Sequence, residues 1–201
     1  TLAVGGTCHI FYAFTPGVLG PVTGNTAGTI NGQPFTFDFS GIGMPLVDTT
    51  PPLITPSVAP PTPDGSNGWY RSSPTVSFDV EDGESAIQST SGCDPVVVST
   101  DTAPAGRLLT CFATSAGGTS SQSVTIKRDA TQPTVTCGAA PTFALGGSGT
   151  VSAAVADPSS GPANASVSAP ADTSTLGAHS VPLTGADVAG NTRTVSCPYV
   201  V

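Results

Sequence analysis

The sequence predicts an all-β protein built from small β-sandwiches, and three observations predict it. The chain has 201 residues, of which 24 are Gly and 20 are Pro, and only 9% are charged. Over short stretches, apolar and polar residues alternate with a period of two, which is typical of half-buried strands. Turn-forming residues follow about every 8 to 12 positions, the spacing found in all-β sandwiches.

Two stretches show the alternation most clearly. In Thr75–Val80 every second residue is apolar, and the Gly- and Pro-free stretch Thr119–Gln132 alternates at Val124 and Ile126. A helix would need a period near 3.6. Both stretches therefore predict strands.

An internal repeat divides the chain. Three segments recur in the same order: Asp48–Pro52 as Asp129–Pro133, Thr75–Asp82 as Thr150–Asp157, and Ala113–Thr119 as Ala186–Thr192. A repeated order indicates two copies of one module, the alternative being chance similarity within low-complexity sequence. We place module two at residues 47–130 and module three at residues 131–201, after a different, incomplete segment at residues 1–46.

Each copy has local signals for its elements. The Asp-x-Thr-x-Pro lead predicts an extended linker and a first edge strand, because proline restrains itself and the residue before it. Asp at positions 82 and 157 predicts a turn after a core strand. The Ala-Gly-Gly and Ala-Gly-Asn steps at 116–118 and 189–191 predict hairpin turns between the last two strands.

The charge excludes two classes of partner. Thirteen acidic residues against five basic ones give a net charge of −8. Such a chain has no basic face for nucleic acid, and anionic membrane surfaces repel it. No apolar run approaches the ~20 residues of a membrane helix, so we expect no membrane insertion.

The cysteines predict two disulfides and an oxidising compartment. None of the five forms a C-x-x-C pair and the chain has two histidines, which argues against zinc. Cys93 and Cys111 fall inside module two, and Cys137 and Cys197 near the ends of module three. We therefore predict one disulfide in each module, with Cys8 unpaired or intermolecular. Five free thiols in a cytosolic protein are the alternative.

Candidate chemistry is sparse. Neither His9 nor His179 lies in a pattern that supports a nucleophilic triad, so we expect no enzyme and no cofactor. One acidic cluster offers oxygen ligands for calcium: Asp79, Glu81, Asp82 and Glu84. A solvated acidic turn is the favoured interpretation of that cluster, and we otherwise expect no metal.

The Trp69-Tyr70 pair precedes the first predicted core strand of module two. Two interpretations stay open. The tryptophan fills one end of a small core, or the exposed pair contacts a sugar ring or a partner chain.

At these motifs the chain resembles known families. Module two, with DTTPP, GWY, TVSFDVEDGESAI and LTCFATSAGGTSSQSVTIKRDATQP, resembles a bacterial immunoglobulin-like (Ig-like) repeat, and module three is similar without the GWY segment. Residues 1–46, with GTCHI, AFTP and GIG, resemble the C-terminal half of a choice-of-anchor or hydin-like β-sandwich. The resemblance implies tandem Ig-like β-sandwiches in a secreted or cell-surface protein.

The expected function is a non-catalytic spacer within a longer bacterial extracellular chain, whose partners are its neighbouring modules. One alternative is an adhesin or carbohydrate-binding module that uses Trp69 and Tyr70. Another is a fibre subunit, in which a second subunit supplies the missing strands of the N-terminal sandwich.

Overall fold

The computed structural model describes residues 20–30, 32–44 and 47–201, and two compact units divide the chain between Asp48 and Thr49. Every regular element in these ranges is a β-strand, which confirms the all-β prediction. None of the described segments forms a helix long and apolar enough to cross a membrane.

The described part of the first unit is a hairpin of β1 (Gly20–Ile30) and β2 (Gln33–Gly43). Phenylalanine rings of β2 lie over glycines of β1. A Cβ atom at Gly24 would come within 2.6 Å of the Phe39 ring. Cys8 and His9 lie outside the described residues, so the assignments of Cys8 and of an incomplete N-terminal sandwich stay predictions.

Module two contains six strands in two three-stranded sheets. The strands are β3 (Leu53–Ala59), β4 (Thr75–Glu81), β5 (Ser89–Ser91), β6 (Val96–Val97), β7 (Arg107–Ser115) and β8 (Gly118–Ile126). Their order is β3-β4-β6 in one sheet and β5-β7-β8 in the other. Buried side chains from both sheets pack together, among them Val76 of β4 and Ile126 of β8. Strands β4 and β8 are the two that alternation predicts.

Module three contains five strands in two sheets. The strands are β9 (Thr134–Cys137), β10 (Thr150–Ala156), β11 (Ser166–Pro170), β12 (Ala178–Ala186) and β13 (Thr192–Val200). The order is β11-β10-β9 in one sheet and β12-β13 in the other. Buried and exposed residues alternate strictly along β10, and its valines Val151 and Val155 share a core with Leu183 and Tyr199 of the second sheet.

The predicted hairpin turns are present in both modules. Strands β7 and β8 pair up to Ser115 and Gly118, and β12 and β13 up to Ala186 and Thr192. Gly118 and Gly190 have φ angles of +134° and +92°, which favour glycine.

Each module also has one disulfide. Cys93–Cys111 joins the segment between β5 and β6 to β7, whereas Cys137–Cys197 joins β9 to β13 and so links the two sheets of module three. Two disulfides indicate an oxidising environment.

Candidate metal centre

Three aspartates meet at one end of module three. Asp129 lies in the segment between β8 and β9, Asp157 directly follows β10, and Asp187 directly follows β12. Because β9 pairs antiparallel with β10, the start of β9 and the end of β10 share this end. One carboxylate oxygen from each aspartate lies within 4.8 Å of the other two. We call these residues the acidic triad.

Asp129 is fully buried, with 0% of its surface exposed. Its Oδ1 accepts a hydrogen bond from the Thr131 amide and its Oδ2 one from the Ser160 amide, both at 3.1 Å. Its own amide donates to the Tyr70 carbonyl at 2.8 Å. Its carbonyl accepts from Asn191 Nδ2 at 3.1 Å. The side chain and backbone of Asp129 are therefore held on every side.

Asp157 uses only one of its carboxylate oxygens locally. Its Oδ1 accepts from the amides of Ser159, Ser160 and Gly161 at 2.9, 2.9 and 3.1 Å. The residue as a whole is half-buried. Its Oδ2 is shielded from solvent and has no hydrogen-bond partner among the described residues. A buried carboxylate oxygen without a donor is costly, so this atom is a candidate ligand for a cation.

Asn191 completes the arrangement. Asp187, which is 3% exposed, accepts from the Asn191 amide through Oδ1 at 2.8 Å and from Asn191 Nδ2 through Oδ2 at 2.9 Å. The same Nδ2 reaches the Asp129 carbonyl. Asn191 thus connects the hairpin turn of module three with the segment that enters it.

The electrostatics of the triad disfavour three bare charges. Burial raises the pKa of Asp129, the hydrogen bonds from Ser160 and Thr131 oppose this rise, and the carboxylates of Asp157 and Asp187 add to it. The neighbouring Arg128 does not neutralise the triad, because its guanidinium pairs with Asp101 at 2.6 Å. Among the described residues, no basic side chain forms an ion pair with any triad member.

The donor set of the triad selects a class of cation. All three side chains offer carboxylate oxygens, and no thiolate or imidazole belongs to the group. Oxygen-only donors suit hard cations such as Ca²⁺ and Mg²⁺ rather than zinc or copper.

The acidic cluster that the sequence offered for calcium is not among the groups of described side chains that lie close enough together to hold an ion. Asp79 and Glu81 are exposed side chains of β4. Asp82 Oδ1 accepts from the amides of Glu84 and Ser85 at 2.8 and 2.9 Å. Glu84 Oε2 turns instead to the Thr49 amide at 2.7 Å. Within the described ranges, the acidic triad is the one group of three or more His, Cys, Asp or Glu side chains that lie close enough together to hold a metal ion.

The aromatic pair of Trp69 and Tyr70, for which the sequence left a core role and a ligand contact open, lies inside module two. Trp69 and Tyr70 are buried, at 4% and 5% exposure, so neither presents a ring face to a sugar. Lys127 Nζ lies 5.8 Å from the Trp69 ring centroid, and the Tyr70 hydroxyl donates to the Pro60 carbonyl at 3.1 Å. Burial favours the core interpretation of this pair.

His179 has a structural setting. Its ring stacks on Tyr199 with centroids 5.4 Å apart, and its Nε2 lies 2.9 Å from the Thr175 carbonyl oxygen. The imidazole also interacts electrostatically with Asp172.

Sequence reasoning named none of the three triad members as a metal ligand, although a partial signal for them exists. The second copy of each of the three repeated segments contains an aspartate: Asp129, Asp157 and Asp187. In module two the position of Asp187 holds Thr114. Carboxylates shared between the repeats would have pointed to Asp129 and Asp157, which match Asp48 and Asp82, but not to Asp187.

The comparisons with known proteins give no relative. No protein-family profile, no curated protein and no solved structure matches this chain.

Proposed function

We propose that residues 49–201 form a stiff, non-catalytic spacer of two Ig-like β-sandwiches within a bacterial secreted or cell-surface protein. The observation that carries this proposal is the setting of Asp129, in the segment that joins the modules. Its amide donates to Tyr70 of module two and its carbonyl accepts from Asn191 of module three. A flexible linker would leave these backbone groups to water.

Further contacts across the junction support stiffness. The Ser66 amide donates to the Ala189 carbonyl, and Asn67 Nδ2 donates to the Val188 carbonyl, both at 2.8 Å. Gly190 allows this approach, since a Cβ atom there would lie 2.8 Å from Ser66 Oγ. The loop that carries the GWY segment therefore docks on the hairpin turn of the next module.

The strand order supports the Ig-like assignment. If β3, β4 and β6 are strands A, B and E, and β5, β7 and β8 are strands C, F and G, then module two has the A-B-E and C-F-G sheets of an Ig-type sandwich. Module three repeats this plan as β9-β10-β11 and β12-β13, without a counterpart of β5. The disulfides suit the extracellular setting of such modules.

The two alternatives have less support. Burial of Trp69 and Tyr70 removes the aromatic surface that motivated an adhesin. The fibre hypothesis depends on residues 1–46 and stays a prediction, as does the unpaired state of Cys8.

Distances between spin labels on the two modules test the proposal. We would label Thr55→Cys and Ser168→Cys, both exposed positions, in a Cys8→Ser background and measure the distance distribution by pulsed electron resonance. A stiff junction gives one narrow distribution. Asn191→Ala should broaden it, because this change removes the hydrogen bonds to Asp129 and Asp187.

Asn164→Ala, at an exposed position of the same module, is the matched control and should leave the width unchanged. A broad distribution in the chain with native Asn191 would overturn the stiff spacer.

A further inference from the structure

We propose that the acidic triad binds a calcium ion at the junction of the two modules, through carboxylate oxygens of Asp129, Asp157 and Asp187. Ion binding by these residues is independent of the spacer function. The consequence that calcium stiffens the junction rests on that proposed function.

The first support is the free Oδ2 of Asp157. The carboxylate belongs to a buried cluster, and this oxygen is shielded from solvent without a hydrogen-bond donor. The three backbone amides that hold Oδ1 fix the orientation of the carboxylate, so Oδ2 cannot turn outward to water without breaking them. A cation is the partner that such an atom lacks.

The second support is the uncompensated charge of the group. Ionised carboxylates are only acceptors, and three of them converge here within 4.8 Å. Asp129 and Asp187 are held by hydrogen bonds to Ser160 and Asn191, so mutual repulsion cannot push them into solvent. Since Arg128 pairs with Asp101, no basic side chain of the described residues compensates this charge, and a cation from solution would do so.

Geometry and chemistry favour calcium among the hard cations. Oxygens bound to one Ca²⁺ at about 2.3–2.6 Å lie at most about 5.2 Å apart, a span that includes the spacing of the triad. Calcium takes irregular sets of six to eight oxygens and accepts water for the rest. Magnesium requires near-ideal octahedral geometry, which backbone-anchored carboxylates adopt poorly.

The position of the ion would tie the modules together. Asp129 belongs to the connecting segment, which pairs with Tyr70 of module two. Asp157 and Asp187 belong to loops of module three. An ion shared by the three therefore fastens the connecting segment to module three.

Calorimetric titration of the full chain with CaCl₂, after removal of metal with EDTA, tests the site. We expect saturable binding with a dissociation constant of about 0.1–1 mM, the range of extracellular calcium modules. Asp157→Asn and Asp187→Asn should each weaken binding by about tenfold or more, because each removes one of three ligand charges. Circular dichroism confirms that each variant is folded.

Asp82→Asn is the matched control. Asp82 occupies the repeat position of Asp157 and caps the corresponding turn through Glu84 and Ser85, but it lies outside the triad. This variant should bind calcium as the native chain does. Equal loss in Asp82→Asn and Asp157→Asn would overturn the assignment to the triad.

Two further outcomes distinguish a failure of the calcium-site proposal from a failure of the spacer proposal. No binding heat and no shift in Tm at about 10 mM Ca²⁺, a concentration above the range of such modules, overturns the calcium site. A narrow spin-label distribution in the same chain would then leave the spacer standing. Normal calcium binding beside a broad distribution overturns the spacer and leaves the ion.

Discussion

Modules two and three have a similar strand order, but their disulfides lie in different places. The disulfide of module two joins Cys93, in the segment after β5, to Cys111 of β7, 18 residues apart. The disulfide of module three joins Cys137 to Cys197, 60 residues apart and between its two sheets. Module three lacks a counterpart of β5 and has the longer covalent closure. Module three, which has fewer strands, thus has the disulfide that closes the longer loop and constrains more of the chain.

The loops differ as well. At the repeat positions of Asp157 and Asp187, module two has Asp82 and Thr114. Both Asp82 and Asp157 cap the turn after a core strand through backbone amides. Only Asp157 meets two further carboxylates. The shared scaffold therefore supplies the turn that Asp82 and Asp157 cap. Asp187 in place of Thr114 gives module three, and not module two, a further carboxylate near the capping aspartate.

Removing the disulfides should produce the largest difference between the modules. The chain-entropy account predicts a loss of about 4 kcal/mol for Cys137→Ala with Cys197→Ala, against about 3 kcal/mol for Cys93→Ala with Cys111→Ala. Urea unfolding followed by circular dichroism measures both losses. A larger loss from the module-two pair would contradict the view that the inter-sheet bond constrains more of the chain.

Truncating the buried tryptophan should come next in size. Trp69 is 4% exposed, and Trp→Ala in a core costs about 3–5 kcal/mol, of which part is recovered when the surroundings collapse. We expect a loss near the lower end for Trp69→Ala and a smaller one for Trp69→Phe, both measured by urea unfolding. Leu108→Ala, at a side chain that is 64% exposed, is the control and should change stability by less than about 0.5 kcal/mol. An unchanged stability in Trp69→Ala would show that the GWY segment is not a core element.

The sequence predicts strands and hairpin turns of this protein, but it does not predict the acidic triad. Alternation identifies β4 and β8, because burial of one sheet face leaves a period of two in the sequence. The repeat identifies the hairpin turns, since Gly118 and Gly190 are required there by their positive φ angles. The acidic triad escapes this reasoning. Its residues are 28 and 30 positions apart along the chain, and only antiparallel pairing brings their strand ends together.

The sequence also left open whether Trp69 and Tyr70 are buried. The reason is again that contacts between residues far apart in the chain decide it. The Tyr70 amide donates to the Lys127 carbonyl, and its carbonyl accepts from the Asp129 amide. These partners lie more than fifty residues away. Local sequence reports that an aromatic pair exists, whereas its neighbours decide whether it lies inside.

The smallest expected effect concerns one capping carboxylate in each module. Burial raises the pKa of Asp64, but the amides of Ser72 and Arg71 outweigh it and leave the pKa below its usual value. Hydrogen bonds from Ser174 likewise lower the pKa of Asp172. For a carboxylate with a lowered folded-state pKa, the unfolded chain binds more protons as pH falls. Its stabilising contribution is therefore present above about pH 3.9 and is lost as pH falls through the folded-state pKa.

Asp64→Asn and Asp172→Asn should consequently unfold at slightly lower urea concentration than the native chain at pH 7, and the difference should vanish toward pH 2. Asp64 also orders the loop that docks on Ala189, because it accepts from Arg71 and Ser72 on the far side of that loop. We therefore expect Asp64→Asn to broaden the spin-label distribution between the modules, and Asp172→Asn to leave it unchanged. A difference between variant and native chain that stays constant from pH 7 to pH 2 would assign the effect to lost packing rather than to the charged cap.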